Sequence, residues 1–398
     1  MRSQLWIAEW IGDGFGYWSK KIKLRRPFLF LCLFVAFGAI VALLFFDTWP
    51  EIFAGRAICD DGGVPARVSI VGDLLIGSGR VWRQIVDDDY GVSIIGDYFD
   101  TFKQGDLTLA NFEGIISAEG ELREKGLPSS FSLRTDPEIL KFLAKFPQII
   151  LSFANNHSAD AGLVGIEGAI QSLDGVGVEH VGIGKNNGEA LAPRIIEING
   201  IRIAFLAFTD LLPEEYFATD AKGGVAKLSP ENLGTAIKKA REISDFIIVS
   251  IHSAASINSA LRRTPDEHQR FFSRLAVGEG ADVVIGQQPH ILQKAEKFGS
   301  GIIFYSLGAF LYDPAVSSRY APDHPLFNGV QFKGGGILAL EICRSGVQSF
   351  RVTPTKVTHR SGNLLVTGAA LSTKLITRLN LLYLQLQNIR LGSLGVLL

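Results

Sequence analysis

Short apolar runs alternate with amphipathic segments along most of the chain. The runs that predict strands are RVSIVG, LTLANF, QIILSFA, HVGIG, RIAFLAF, DFIIVSIH, ADVVIG, GIIFYSLG and GILALEI. Apolar residues at helical spacing predict helices in DPEILKFLAKF, GLVGIEGAIQSL, SPENLGTAIKKAREI and TPDEHQRFFSRLAVGEG. Because the strands are almost continuous in Val, Ile and Leu, we expect buried sheet with helices packed outside it. The pattern therefore predicts the α/β class.

Two of the predicted helices begin with a typical cap. Asp136 precedes Pro137, and Ser229 precedes Pro230. An acceptor side chain followed by proline at the first helical position is common at helix N-termini. We therefore expect Asp136 and Ser229 to be N-caps.

The longest uncharged stretch lies near the N-terminus. Residues 28–46, FLFLCLFVAFGAIVALLFF, carry no charge, and this is about the length that crosses a hydrocarbon core of roughly 30 Å as a helix. A basic flank precedes them, made of Lys20, Lys21, Lys23, Arg25 and Arg26. This flank predicts a cytoplasmic N-terminus and export of everything after Asp47. A cleaved signal peptide is the alternative, but the run exceeds a typical signal-peptide core and no small-x-small site follows closely.

The rest of the chain divides by composition. We expect a cytoplasmic segment at 1–27, a membrane anchor at 28–46, a linker at 47–66, a folded domain at 67–358 and a tail at 359–398. In the tail, STKLITRLNLLYLQLQNIRL has Leu and Ile at three- and four-residue spacing, which predicts an amphipathic helix. The main domain would lie in the periplasm or outside the cell, held by a single-pass anchor in the cell membrane.

Composition excludes several classes of protein. With 47% hydrophobic and 20% charged residues, the chain is globular rather than disordered. A net charge of -1 without a long basic run beyond the N-terminus argues against nucleic-acid binding. Cys32 lies in the apolar run, and only Cys59 and Cys343 could pair. We therefore expect neither a disulfide framework nor a CxxC metal site.

Polar residues that can bind a metal or move a proton follow several of the predicted strands. They are Asp73, Glu113, Asn156, His157, His252 and His290. Strand ends in an α/β sheet are where ligand sites assemble, so one site could collect all of them. Each residue alone also has an ordinary structural explanation, such as a turn aspartate or a core histidine. Together, carboxylate, amide and imidazole groups suit Mn, Fe or Zn better than a thiolate-preferring ion.

Seven sequence blocks carry a family resemblance. They are VSIVGDLLIGSG, DLTLANFEG, FANNHSADAGLVGIEGAI, HVGIGKNNGEA, SIHSAA with TPDEHQ after it, GADVVIGQQPHILQ and IIFYSLGAFLYD. Their order and spacing resemble those of the CapA family, named for poly-γ-glutamate capsule synthesis. The resemblance covers residues 67–357. A membrane anchor ahead of the domain also resembles members of that family.

The resemblance implies an αββα four-layer sandwich similar to calcineurin-like metallophosphatases. One or two divalent ions, Mn, Fe or Zn, would be held by a ligand set that matches Asp73, Glu113, Asn156, His252 and His290. His157 would act as the catalytic acid or orient the substrate, and Asn155 and Gln288 would have secondary roles. The implied reaction is metal-dependent hydrolysis of a phosphoester or an amide.

Leu75 stands where metallophosphatases usually have a histidine, a difference that resembles the CapA family itself. The chain departs from the family pattern at two further places: Gln288 stands where the family often has the first histidine of His-Pro-His, and Ser253 and its neighbours stand where a tryptophan and an acidic residue are frequent. Two functions therefore stay open. One is a membrane-anchored hydrolase in capsule or poly-γ-glutamate synthesis and export. The other is a non-catalytic component with a degenerate metal site that holds an anionic polymer beside membrane polymer synthase subunits.

Overall fold

The computed structural model describes residues 58–77, 79–96, 98–123, 132–254, 264–312, 334–361 and 363–368. The strands, numbered along the chain, are β1 (Ala66–Leu74), β2 (Leu107–Phe112), β3 (Ile115–Ile116), β4 (Arg134–Thr135), β5 (Ile149–Ser152), β6 (Glu179–Val181), β7 (Ile183–Gly184), β8 (Arg194–Ile198), β9 (Ile201–Thr209), β10 (Gly224–Val225), β11 (Phe246–His252), β12 (Val283–Gln287), β13 (Ala295–Phe298), β14 (Gly301–Phe304), β15 (Ala309–Leu311), β16 (Gly335–Cys343), β17 (Gly346–Arg360) and β18 (Asn363–Gly368). The helices are α1 (Arg80–Asp87), α2 (Tyr98–Phe102), α3 (Leu140–Leu143), α4 (Gly162–Val176), α5 (Asn187–Ala190), α6 (Pro230–Ile243) and α7 (Glu267–Glu279). Single 3₁₀ turns lie at Ser93–Ile95, Pro137–Ile139 and Glu214–Tyr216.

Most strands belong to two larger sheets. The first has the order β18-β17-β16-β1-β2-β5-β6, and β15 also pairs with β1. The second has the order β13-β14-β12-β11-β9-β8. Strands β1, β2, β5 and β6 run parallel in the first sheet, as do β9, β11, β12 and β14 in the second. Parallel strands end at one edge of their sheet, so each sheet gathers its loops there.

The two sheets share one hydrophobic core. Ile70 and Leu109 of the first sheet belong to the same buried cluster as Phe205 of the second. The rings of Phe304 on β14 and Phe350 on β17 meet at 5.5 Å between centroids. A separate cluster joins the second sheet to α6 and α7, and α2 packs on the first sheet through Phe102 and Phe310 of β15. Helices thus flank a pair of sheets, and the predicted α/β class is confirmed.

Several predicted elements occur with changed boundaries. HVGIG forms two short strands, β6 and β7, because Gly182 between them has a φ of 87°. DPEILKFLAKF forms a 3₁₀ turn followed by the single-turn helix α3. Both predicted caps are confirmed: the Asp136 side chain accepts a hydrogen bond from the backbone N–H of Glu138, and Ser229 accepts one from Asn232.

The first sheet continues past the predicted end of the domain at 358. Strand β17 runs on to Arg360, and β18 pairs with it as far as Gly368. Alternating polar and apolar residues on these edge strands give a weaker sequence signal than the buried runs. The predicted tail helix, the anchor at 28–46 and the segment at 1–27 lie outside the described residues. Within the described ranges, no helix is long and apolar enough to cross a membrane.

A disulfide joins Cys59 to Cys343, the one pair of cysteines that the sequence left able to bond. The bond follows from strand pairing. Ala66, the first residue of β1, lies opposite Ile342 near the end of the antiparallel strand β16. The chain just before β1 therefore runs beside Cys343, and the two cysteine Cα atoms are 5.7 Å apart. Sequence alone named the possible pair but left open whether the bond forms across a separation of 284 residues.

Candidate functional site

The candidate site lies where strands of both sheets end. Asp73 is the last residue but one of β1, Glu113 directly follows β2, and His252 ends β11. Each side chain is at most 1% exposed, and one ligand atom from each lies within 4.8 Å of the other two. The fold thus brings together three residues that the sequence places at separate strand ends.

Gly72 allows the close packing that positions Asp73. A Cβ atom built on Gly72 would lie 1.9 Å from the carbonyl oxygen of Gly308. The backbone N–H of Asp73 donates to that same oxygen at 2.9 Å. A larger residue before Asp73 would therefore push the aspartate out of the site.

Asn111 links Asp73 to His252 across the two sheets. Its Nδ2 donates to Asp73 Oδ1 at 2.8 Å and lies 3.1 Å from His252 Nδ1. Because an amide nitrogen only donates, Nδ1 of His252 accepts and Nε2 carries the ring hydrogen. Burial lowers the pKa of His252 to about 4, which agrees with a neutral ring. Sequence reasoning missed Asn111, whose only signal is an amide within the apolar strand LTLANF.

The Nε2 atom of His252 faces two amide oxygens. It donates to Asn156 Oδ1 at 2.9 Å and also to Oε1 of Gln288. The hydroxyl of Thr209 holds the strand end by donating to the His252 carbonyl at 2.8 Å. Two predicted residues, Asn156 and Gln288, thus converge on His252.

His290 lies on the other side of the site. Its Nδ1 is 2.9 Å from Asp73 Oδ2 and 3.5 Å from Glu113 Oε2. Burial works against a charged ring, but the negative charges of Glu113 and Asp73 and the hydrogen bond to Asp73 raise the pKa of His290 to about 9. Burial likewise works to raise the pKa of Asp73, yet the hydrogen bond and charge of His290 hold it below the ordinary value. Asp73 and His290 are therefore an ion pair at neutral pH.

The loop that carries His290 has strained backbone. Gln288 has a φ of 91° and His290 a φ of 52°, both in a region that residues other than glycine rarely adopt. Such conformations cost about 1–3 kcal/mol each and persist where surrounding contacts hold them. Here the contacts are those of Gln288 to His252 and of His290 to Asp73.

His157 is oriented by a buried carboxylate. Its Nδ1 donates to Asp160 Oδ2 at 2.6 Å, and its Nε2 lies 4.0 Å from Glu113 Oε1. Asp160 is itself held, because the backbone N–H of Leu133 donates to the same oxygen at 2.6 Å. Sequence reasoning missed Asp160, although its position three residues after His157 is a local signal.

Asn155 supports the loop rather than pointing at the carboxylates. Its Oδ1 accepts from the backbone N–H of His157 at 3.0 Å, and its Nδ2 donates to the Phe112 carbonyl at 2.8 Å. The turn into α4 then uses Gly162, whose φ is 69°. These contacts place Asn156 and His157 next to the end of β2.

The residues present fit a divalent metal ion. The two oxygens of Glu113 lie 3.5 to 4.0 Å from nitrogens of His290, His252 and His157, too far for hydrogen bonds. Such spacing matches the roughly 3–4 Å between ligand atoms that each lie about 2.1 Å from one ion. The oxygen and nitrogen donors suit Mn, Fe or Zn. Asp73, Glu113 and His252 therefore form a candidate metal-binding group.

The departures noted in the sequence have structural counterparts. Leu75 is half-buried against the core, so that position offers no ligand. Ser253 does not contact the metal-binding group through its hydroxyl hydrogen bond, because that hydroxyl donates to Asp210 Oδ1 at 2.7 Å. Asp210 also meets His268 Nε2 at 2.5 Å.

Comparisons with known proteins place the chain among capsule synthesis proteins. A protein named capsule biosynthesis protein CapA from Bacillus anthracis is 28% identical over 251 residues, which is 62% of this chain and 59% of that protein. The PGA biosynthesis protein CapA of Bacillus subtilis is 25% identical over 351 residues, 87% of this chain and 86% of that protein. A probable polyglutamine synthesis accessory protein of Mycobacterium tuberculosis is 25% identical over 219 residues, 52% of this chain and 56% of that protein.

Solved structures resemble the chain only remotely. The 5'-nucleotidase precursor of Thermus thermophilus matches 80% of this chain and 58% of its own with a TM-score of 0.38 and 13% identity. The calcineurin-like phosphoesterase YfkN of Bacillus subtilis matches 77% of this chain and 92% of its own with a TM-score of 0.36 and 15% identity. These scores are low, so the site is interpreted from its own residues. The family model described as bacterial capsule synthesis protein PGA_cap matches residues 67–314, more than half of the chain and every residue of the candidate site. The chain therefore belongs to the bacterial capsule synthesis family PGA_cap, the CapA family expected from its motifs.

Proposed function

We propose that the protein is a membrane-anchored, metal-dependent hydrolase that acts outside the cytoplasm in poly-γ-glutamate capsule synthesis and export. The convergence of Asp73, Glu113 and His252 at the strand ends carries this proposal. Family membership supports the pathway, and the names of the two Bacillus relatives support the polymer. The facing sheets with flanking helices agree with the metallophosphatase-like αββα fold expected from the motifs.

Two features support a location outside the cytoplasm. The uncharged segment at 28–46 with its basic flank has the composition of a single-pass anchor. The disulfide between Cys59 and Cys343 belongs in an oxidising compartment, because cytoplasmic thiols are kept reduced. Membrane synthase subunits that make the polymer would be natural partners at this location.

Glu113 divides the ligands into two groups. Asp73 and His290 lie on the side of its Oε2 atom, and His252 lies on the side of Oε1 together with Asn156 and Gln288. One or two ions of Mn, Fe or Zn would be held there, and a bound ion supplies Lewis-acid polarisation of the bond to be broken. Gln288 offers an amide oxygen, which binds a metal more weakly than an imidazole nitrogen would.

His157 is placed to move a proton. Asp160 holds its Nδ1, so Nε2 is the atom presented toward Glu113 and the site. During hydrolysis of an amide the C–N bond breaks, and during hydrolysis of a phosphoester the P–O bond breaks. In either reaction Nε2 of His157 would deliver a proton to the leaving nitrogen or oxygen.

The amide at Gln288 favours a second candidate function. With a weakened ligand set, the protein would hold the anionic polymer without cleaving it, as a non-catalytic component of the synthesis and export complex. The same group of residues at the strand ends would then serve for binding alone.

Replacing His157 by glutamine tests catalysis. We expect turnover to fall by about 10²–10⁴-fold, as is typical for loss of a general acid, while metal content stays unchanged. The assay follows the chain length of poly-γ-glutamate and, separately, hydrolysis of p-nitrophenyl phosphate by the full-length protein in detergent with added Mn. His268→Gln is the matched control, because His268 is bonded to Asp210 rather than to a member of the metal-binding group.

The outcome separates the two functions. Equal turnover by wild type and His157→Gln would contradict the role of His157. Absence of turnover in the metal-loaded wild type, with the polymer still bound, would support the non-catalytic component.

Metal affinity is expected to rise with pH. The pKa of His290 is raised to about 9 by Glu113 and Asp73, despite burial, so at neutral pH a proton must leave His290 before it can bind a metal. Between pH 7 and 9 the affinity should therefore increase about tenfold per unit and then level off. Titration of the chelated protein with Mn at several pH values measures this slope. A flat profile for wild type, or an equal slope for His290→Gln, would exclude His290 as the competing group.

A further inference from the structure

Arg123 has a backbone fixed beside the proton-transfer pair. Its N–H donates to the Asp160 carbonyl at 2.8 Å, and its own carbonyl accepts from the Ser132 hydroxyl at 2.8 Å. The carboxylate of Asp160 holds His157. The backbone of Arg123 therefore contacts Asp160, the residue that orients the predicted acid His157.

The guanidinium of Arg123 rests on an aromatic ring. Its Cζ lies 4.5 Å from the centroid of Tyr216, in the 3₁₀ turn that follows β9. Tyr216 is half-buried against the main core. The pair therefore connects the segment that follows β3 to the 3₁₀ turn that follows β9. A cation on an aromatic face keeps its N–H groups in the plane available for other partners.

The charge of Arg123 is not neutralised within the described part of the chain. Five other described arginines pair with carboxylates, namely Arg67, Arg194, Arg202, Arg241 and Arg274. Arg123 is not among the arginines that form an ion pair in the described part of the chain. Its Nη1 is buried and has no hydrogen-bond partner among the described residues. A buried, unpaired guanidinium nitrogen costs free energy that an anionic ligand would recover.

We propose that Arg123, held on Tyr216, binds an oxyanion of the substrate beside His157. The planar guanidinium fits a carboxylate or a phosphate with two parallel hydrogen bonds. The inference deepens the proposed function and rests on it for the identity of the polymer, because a γ-linked glutamate chain carries one free carboxylate per residue. Arg123 would fix the register of that chain relative to the metal-binding group.

Binding measurements on the full-length protein in detergent test Arg123. The probes are a fluorescein-labelled γ-linked glutamate oligomer, followed by anisotropy, and inorganic phosphate, followed by calorimetry. We expect Arg123→Met to weaken binding about 10–100-fold, the range for losing a charge-assisted hydrogen bond. Arg123→Lys should fall between wild type and Arg123→Met because it keeps charge but not the planar fork. Tyr216→Leu should weaken binding about threefold.

The control removes the same charge elsewhere. Arg351 is exposed on β17, and Arg351→Met should bind both probes as wild type does. Metal content and melting temperature show that each variant is folded and that the metal-binding group is intact. A change in binding without a change in metal content assigns the effect to Arg123.

The two probes separate this inference from the proposed function. Phosphate binding that depends on Arg123, without oligomer binding, would support the anion site and overturn the glutamate polymer. Oligomer binding that is equal in wild type and Arg123→Met would overturn the anion site and leave the proposed function in place. Failure of the wild type to bind either probe would overturn the anion site.

Discussion

Replacing Asp73 and His252 together by alanine is expected to abolish metal binding. Both side chains belong to the buried three-residue group, and they come from different sheets. Loss of even an outer hydrogen-bond partner of a ligand costs about 10–100-fold in metal affinity, so loss of two ligands should cost more than about 100-fold. The measurement is metal content of the full-length protein purified without chelator, then again after reconstitution with Mn, Fe or Zn. Wild type should hold about one or two equivalents of metal, because the ligands form two groups, one beside each carboxylate oxygen of Glu113.

A matched pair provides the control for this experiment. Asp210 and His268 are also an aspartate and a histidine in direct contact, at 2.5 Å, but neither belongs to the metal-binding group. The Asp210→Ala, His268→Ala variant should therefore keep its metal.

Folding of the test variant needs its own check. Removing Asp73 leaves His290 without its nearest carboxylate partner, which is costly in a buried site. The nearly isosteric variant Asp73→Asn, His252→Gln, compared with wild type by melting temperature, separates loss of ligands from loss of fold. Equal metal content in a folded variant of either kind would refute the metallohydrolase proposal.

Loss of the disulfide is expected to lower the free energy of unfolding by about 2–5 kcal/mol. The bond between Cys59 and Cys343 closes a loop with a sequence separation of 284 residues, so it restricts the unfolded chain strongly. For a domain of this size the melting temperature should fall by about 5–15 °C. Thermal unfolding of the Cys59→Ser, Cys343→Ser variant measures the change.

The third cysteine supplies the comparison. Cys32 lies in the predicted anchor, so Cys32→Ser should unfold like wild type, and a reducing agent should lower the stability of both. A double variant as stable as wild type in the absence of reducing agent would show that the bond does not support the fold.

The residues at the strand ends could be predicted from sequence, because each is recognised from the apolar run that directly precedes it. Asp73, Glu113 and His252 each follow a run of apolar residues, and parallel strands end at a common edge. The structure brings these residues together, with His290 beside Asp73. The predicted assignment of each residue to metal binding or catalysis stays a prediction that the experiments above address.

Other features of the site depend on distances between chain segments far apart in sequence. Asn111 sits inside an apolar strand, and its contact with His252 exists only because the two sheets face each other. Arg123 has no local motif, and its stacking on Tyr216 requires both loops to be in place. Periodicity within a segment carries no information about such contacts. The pairing of Ala66 with Ile342, which brings the chain before β1 close to Cys343, cannot be predicted from sequence for the same reason.

The disulfide also determines how mechanical load would enter the domain. A force applied to the chain before Cys59 is transmitted to the first sheet through the covalent bond to Cys343 at the end of β16. It is not transmitted by successive rupture of the hydrogen bonds between β1 and its neighbours. The opposite end of β1 carries Asp73, and a strand of 9 residues spans about 30 Å. Tension applied to the chain before Cys59 would thus be borne at one end of the strand, away from the ligands at the other end.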